Sequence, residues 1–343
     1  MATVELYRSR HPAASHHPVA SGLLAALLLL AGAAGPASAE PRCEDLGAKA
    51  PETRCESISF GGRERTYRLY VPAHRPEGAA PLLFVLHGGG GGGAGMEELT
   101  QHGFNRRADE TGALIVYPDG VGHGWNDGRL DLRSRSVKDD VDDVGFLRAL
   151  VAALEKRFPV DPAHVVVTGM SNGGMMTLRL ACDASDVFKG FVAVAASLGA
   201  DLKPHCDARG IHRLALIDGT ADPIVPWAGG AVSVLGASRG HVIGAEATYD
   251  FFRDAAHCGA THADPPLDRV ADDGTQLTVH RAVGCDADSE VRLYQVDGGG
   301  HAWPGGLRYA REWLIGKVSR ELDATDETWR FLGLAPERSA GPV

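Results

Sequence analysis

The stretch Val165–Leu180, V-V-V-T-G-M-S-N-G-G-M-M-T-L-R-L, leaves the backbone few possible paths. Three valines and Thr168 favour a buried strand, whereas the apolar residues after Ser171 recur at helical spacing. Joining the two through one sharp turn presses backbone against backbone, which Gly169 and Gly173 permit because they carry no Cβ. Ser171, at the apex, is then strained but exposed, the G-x-S-x-G geometry that presents a hydroxyl at a helix N-terminus. The competing reading is an ordinary strand-to-helix turn in which Ser171 only caps the helix. A base, an acid and an oxyanion site elsewhere in the chain would decide between them.

The rest of the chain alternates in the same way. Residues 56–60 and 64–71, separated by Gly61-Gly62, predict an antiparallel hairpin ended by Pro72. The run 81–86 is continuously apolar, as in a strand covered on both faces, and residues 113–117 repeat it. Val144, Leu147, Val151, Leu154 and Phe158 make a helical stripe of core character. Strands are expected again at 191–195, 211–217, 275–282 and 291–296, with helices at 245–257 and 325–332. Such alternation predicts an α/β fold built on a mainly parallel, doubly wound sheet with helices on both faces.

Residues 1–39 have the form of a secretory signal: Arg8 and Arg10 precede an apolar run from Leu23 to Ala34, and Ala37-Ser38-Ala39 is a small-x-small cleavage site. The expectation is one domain, residues 40–343, that acts as a monomer and, once the signal is cut, has no membrane partner. The chain carries 34 Lys+Arg against 44 Asp+Glu, a formal charge of −10, which argues against nucleic acid and anionic membranes as partners. All six cysteines follow the signal, and an even count in an exported chain favours disulfides. The sequential pairing Cys43–Cys55, Cys182–Cys206 and Cys258–Cys285 is favoured because each bridge closes a modest loop. No metal site is expected: the acidic run 139–143 lacks the Gly and terminal Glu of an EF-hand loop and reads as a helix start.

Three further features answer the question Ser171 raises. The strand 81–86 delivers His87 and the glycines 88–93, a turn whose backbone N–H, at Gly88 or Gly89, would join that of Asn172 in holding an oxyanion. No G-K-[ST] follows, so a phosphate loop is disfavoured, and the tip at 91–95 reads as plain flexible loop. The strand 211–217 runs into Asp218 and Asp222. Asp222, beyond the strand end, is the preferred acid, with Asp218 expected at the sheet edge, capping Gly219-Thr220. His301 follows three glycines at the end of strand 291–296, which sets it apart from the other histidines as the base. Asp297 reads as structural. The order Ser, Asp, His along the chain is that of α/β-hydrolases.

At these residues L-H-G-G-G, G-W-N-D-G-R, D-D-V-G-F-L, V-D-P, G-M-S-N-G-G-M-M, G-T-A-D-P-I-V-P and G-G-G-H-A-W-P-G-G occur in order. Together they resemble the secreted polyhydroxybutyrate depolymerase-like esterases, themselves similar to feruloyl esterases of carbohydrate esterase family one. The resemblance covers roughly residues 43 to 333. It implies Ser171 as nucleophile, His301 as base and Asp222 as orienting acid, and it supports the 182–206 and 258–285 bridges. The chain departs from the family pattern in its uninterrupted glycines after His87 and in Ile217-Asp218, where a His is common. The implied activity is hydrolysis of carboxylic esters through an acyl-enzyme, with no cofactor. Feruloyl or other acyl esters on plant polysaccharide and short hydroxyacid oligomers are the expected substrates, with a solid polyester as the alternative. A non-catalytic binding protein on the same scaffold is the alternative of another class. Trp125, Trp227 and Trp303, in loops near strand ends, are expected to line an aromatic cleft, and Trp313 and Trp329 to be core. Because no linker or second domain precedes the end at Val343, soluble esters are expected over polymer.

Overall fold

A computed structural model describes residues 53–75, 77–286 and 289–335. The chain enters through a hairpin, β1 (Thr53–Phe60) and β2 (Arg63–Tyr70), followed by β3 (Ala80–Leu86), α1 (Gly93–Leu99), α2 (Gly103–Thr111) and β4 (Leu114–Pro118). Then come α3 (Arg135–Lys138), α4 (Asp143–Glu155), β5 (Val160–Met170), α5 (Asn172–Asp183), β6 (Gly190–Val194) and β7 (Arg213–Gly219). A separate hairpin, β8 (Gly230–Val234) and β9 (Ala237–Val242), precedes α6 (Ala245–Ala255). The remainder is β10 (Ala260–Ala263), β11 (Gln276–Val283), β12 (Glu290–Asp297), α7 (Glu312–Ile315) and α8 (Ala324–Phe331).

Ten strands form one sheet in the order β1-β2-β4-β3-β5-β6-β7-β12-β11-β10. The six from β4 to β12 pair in parallel, and antiparallel strands close both edges. Alternate residues of the central strands enter different cores, as period-two geometry requires. Leu82, Phe84, Leu86, Val165 and Val167 pack with α4, α5 and α6, while Leu83, Val85 and Val166 pack with α1, α2 and α8. The continuous apolar runs in the sequence have this cause: neither face of those strands meets water.

Cys182–Cys206 ties the end of α5 to the segment before β7, and Cys258–Cys285 ties the end of α6 to the β11–β12 connection. Both are sequential pairings, closing loops of 24 and 27 residues. Loops of that size are worth about 3 kcal/mol each in the chain-entropy picture. Cys43, and with it the 43–55 bridge, lies outside the described residues, as do residues 1–39.

One local expectation fails, and a second holds but is incomplete. The glycine tip is no simple loop, because Gly93 opens α1 and its N–H donates to Asp119 Oδ1 at 2.7 Å. The run 139–143 is a helix start, with Asp142 capping Gly145 N–H, but its last member is also a buried anchor. Asp143 accepts from Arg65 at 2.7 Å and from the Asn126 amide at 2.8 Å, fixing the G-W-N-D-G-R loop to the sheet.

Candidate active site

The carboxyl ends of β3, β5, β7 and β12 open onto one rim of the sheet, where ligands gather in open α/β sheets. Ser171 stands between β5 and α5 at φ 55° and ψ −122°, a conformation that costs a side-chain-bearing residue about 1–3 kcal/mol. The crowding that forces it is measurable. A Cβ at Gly169 would meet the Gly173 carbonyl oxygen at 2.5 Å, and one at Gly173 would meet the Leu86 oxygen at 2.4 Å. Ser171 occupies the N-cap position, yet its side chain makes no capping bond. Its Oγ lies 2.9 Å from His301 Nε2 instead.

His301 arrives on the glycine loop after β12. Its Nδ1 lies 2.7 Å from Asp222 Oδ2, and both side chains are buried. The other carboxylate oxygen of Asp222 accepts from the amides of Ile224 at 2.7 Å and Val225 at 2.8 Å, so the acid is held at both oxygens. Tyr309 donates its hydroxyl to the His301 carbonyl at 2.9 Å and thereby pins the loop. Asp222, His301 and Ser171 therefore form one unbroken line of hydrogen bonds. Asp218 belongs elsewhere: it does not cap Gly219-Thr220 but accepts the Ala196 amide at 2.8 Å inside the sheet. Burial, with the Asp222 charge nearby adding to it, pushes its carboxyl well above the usual range, against the pull of the Ala196 bond. Among the described residues Asp297 accepts from one side chain, the Gln295 amide at 2.7 Å.

The glycine turn after β3 packs on the elbow. A Cβ on Gly88 would touch Ser171 Cβ at 3.5 Å, and one on Gly89 would touch Asn172 Cβ at 3.7 Å. His87 sets the turn. Its Nδ1–H donates to the Gly88 carbonyl at 2.8 Å while Nε2 accepts the Gly120 amide at 2.9 Å. These partners require the neutral ring, and burial lowers the pKa of His87 in the same sense. With the Gly88 carbonyl turned toward His87, the planar trans peptide points the Gly89 N–H the opposite way. Asn172 is equally constrained. Its side-chain oxygen accepts from Trp125 N–H at 2.7 Å, and its amide donates to the Trp125 carbonyl at 3.0 Å and to Asp127 at 2.6 Å.

Two cavities flank Ser171. The smaller, about 260 Å³, runs from the glycine turn to Met96, Leu99 and Met170; the larger, about 440 Å³, lies between the 122–137 loop, the β8–β9 hairpin and α7. Of the tryptophans expected at the cleft, Trp125 lines the larger cavity, whereas Trp227 and Trp303 line neither. Trp125 and Trp303 are both 0% exposed. Trp125 donates its indole N–H to the His87 carbonyl and packs on the His87 ring, and Trp303 is packed on Phe104 with its N–H on Thr325. A flat apolar ring with one donor is better satisfied beneath the loop than in the open cleft. Trp227 is half-buried against the core and lines neither cavity. Trp329 is core, but Trp313, expected to be so, is 71% exposed on α7. The aromatic residue that lines both cavities is Tyr309, which nothing in its local sequence marks.

Comparison with known proteins gives concordant results. Residues 107–201 match the model of the prolyl oligopeptidase family, a stretch that includes the elbow. The chain is 34% identical over 296 residues to the Nocardia uniformis subsp. tsuyamanensis protein named "Putative esterase NocK", covering 82% of each. It is 32% identical over 177 residues to a poly(3-hydroxybutyrate) depolymerase of Ralstonia pickettii, a match spanning 49% of this chain and 34% of that one. Among solved structures, an acetyl xylan esterase from Aspergillus awamori superposes with a TM-score of 0.52 at 13% identity, over 82% of this chain and 99% of that one.

Proposed function

The chain belongs to the esterases of the α/β-hydrolase fold and is a carboxylic ester hydrolase, and from that premise we propose that Ser171, His301 and Asp222 carry its reaction on short, soluble hydroxyacid or acyl esters. The observation that supports the roles is the unbroken hydrogen-bonded line Asp222–His301–Ser171 at the mouth of two cavities. His301 Nε2 takes the Ser171 proton as Oγ attacks the ester carbonyl carbon, and the carbonyl oxygen becomes an oxyanion. The amides of Gly89 and Asn172 are the proposed donors to that oxyanion; neither has an acceptor among the described residues. When the tetrahedral intermediate collapses, the alcohol leaves with the proton from His301. Water then enters along the same path: His301 takes its proton, the hydroxide attacks the acyl carbon, and Ser171 is released with its proton restored. Each oxyanion donor is worth about 10²–10³ in turnover.

The walls bear on the substrate. The larger cavity offers aliphatic surface from Ile224, Val232, Val234 and Leu314, with Tyr309 and the edge of the otherwise buried Trp125 as its aromatic lining, while Trp303 stays in the core. That lining favours short aliphatic acyl or hydroxyacyl groups over stacked aromatic ones. A panel of methyl ferulate, feruloylated arabinoxylan oligosaccharides, 3-hydroxybutyrate oligomers and a polyhydroxybutyrate film tests this. The expected order of kcat/KM or release rate is oligomers first, feruloyl esters next, film last. Rapid clearing of the film without turnover of oligomers would make a solid polyester the substrate.

We also propose that residues 1–39 are a secretion signal cut before Glu40 and that the enzyme acts outside the cytoplasm. Two disulfides support an oxidising compartment. N-terminal sequencing of the exported protein should begin at Glu40, and export with an intact Met1 would refute the cleavage.

A further inference from the structure

The larger cavity beside Ser171 has a second kind of wall. Besides its aliphatic residues it is lined by four arginines, Arg129, Arg133, Arg135 and Arg239, against two carboxylates, Asp127 and Asp131. In a chain with a formal charge of −10, that wall runs against the field of the whole molecule.

The arginines differ in what already occupies them. Arg129 is buried and forked onto Asp127, the shortest contact being 2.6 Å, while another of its nitrogens donates to the Arg239 carbonyl. Its charge is cancelled and its task is to hold the loop to β9. Arg135 lies 3.5 Å from Asp139, one turn further along the chain. Arg239 comes no nearer than 3.9 Å to Asp131, and that carboxylate already accepts the Arg133 amide at 3.0 Å. The Arg133 guanidinium is exposed and has no carboxylate partner among the described residues. The remaining titratable groups that line this cavity are His123, His301 and Tyr309. Two guanidinium groups on separate elements, the loop before α3 and strand β9, thus face the cavity with donors the protein does not consume. A guanidinium fork matches a carboxylate in shape and charge and cannot lose its proton at working pH.

We infer that this cavity selects esters that themselves carry a free carboxylate, held by Arg133 and Arg239 while the scissile carbonyl sits at Ser171. The inference rests on the proposed role of Ser171 and adds the chemical class of the group beyond the ester. An oligomeric hydroxyacid with a free end carries its carboxylate on the alcohol side of the scissile bond, and a half-ester of a dicarboxylic acid carries it on the acyl side. Both present the same anion to the wall.

The test compares kcat/KM within two matched pairs near neutral pH: the 3-hydroxybutyrate dimer as free acid and as its terminal amide, and mono-p-nitrophenyl glutarate and p-nitrophenyl butyrate. In at least one pair the anionic member is expected to be favoured roughly tenfold, chiefly through KM, as one charge-assisted contact allows. Preference in the dimer pair places the carboxylate on the alcohol side; preference in the glutarate pair places it on the acyl side. The ratio should shrink as salt is raised, since the arginines are partly exposed and screened. It should fall toward one in the Arg133→Gln, Arg239→Gln double variant, whose changes lie at exposed or half-exposed side chains and leave the core intact. Ratios near one in both pairs, or a ratio unmoved by the double substitution, overturn the inference while leaving neutral-ester turnover to stand for Ser171. Failure of the wild-type enzyme on all four compounds would overturn the Ser171 assignment and this inference with it.

Discussion

Replacing Ser171 by alanine is expected to lower kcat on p-nitrophenyl butyrate by roughly 10⁵–10⁶-fold, the scale seen when a nucleophile is removed from a working triad. The change deletes one atom, the Oγ that lies 2.9 Å from His301 Nε2, and with it the capacity to form an acyl-enzyme. What survives is the contribution of the oxyanion donors and of binding, typically 10³–10⁴ over water. The fold should be untouched, because Oγ caps nothing and alanine at φ 55° carries the same backbone strain as serine. Circular dichroism and a thermal melt check that point. Labelling of the wild type at Ser171 by a fluorophosphonate, absent from the variant, checks the nucleophile directly. A variant that kept activity within tenfold of wild type would remove Ser171 from the reaction.

The second large effect is expected at Asp222. Asp222→Asn should reduce kcat about 10⁴-fold, the loss known for this change in a serine-protease triad. Here the geometry supplies the reason. Asp222 Oδ1 already accepts two backbone amides, so an asparagine would keep its oxygen there and turn its NH₂ toward His301 Nδ1. That NH₂ must donate, which makes Nδ1 an acceptor and moves the ring proton to Nε2, where a base is needed. Asp218→Asn is the control with the opposite expectation. Asp218 is buried with one oxygen on Ala196 N–H and the other without a partner, and its pKa is raised, so the neutral acid is what the fold accommodates. A raised carboxyl pKa favours the folded state fully only below the unfolded value, about pH 4, and that benefit is lost as pH rises through the folded pKa. Asp218→Asn should therefore hold kcat within several-fold and melt at or above wild type at pH 8, the gap closing toward pH 4. Equal kinetic losses at the two positions would reverse the assignment of the acid.

Much of the architecture was legible because it rests on short-range rules. Continuous apolar runs mark strands buried on both faces, and β3, β4, β5, β6 and β7 fall where such runs stand, while β12 follows the alternation read at 291–296. Elements whose stability comes from partners were not legible. The β8–β9 hairpin is polar and half-exposed, and α1 begins in glycine, so neither announces itself by periodicity. The tryptophans misled for a related reason. Loop position suggests exposure, but Trp125 and Trp303 fold back beneath their loops, where indole area and N–H are both satisfied.

The elbow is the clearest case of local determination: Gly169 and Gly173 are required by contacts of 2.5 Å and 2.4 Å within four residues of Ser171 or with the adjoining strand, so the motif predicts its own geometry. The Ser, Asp, His order likewise follows from strands that end at one rim. What only the tertiary structure decided are relations between segments far apart in the chain. That the His301 loop meets Asp222, across 79 residues, while Asp218 accepts the Ala196 amide inside the sheet, is such a relation. The Tyr309 clamp on His301 and the pairing of Arg133 with the β9 arginine in one cavity are of the same kind. Residue spacing encodes local backbone paths through sterics and burial. It does not encode which distant side chains a parallel sheet brings to the same end, because that is set by strand order.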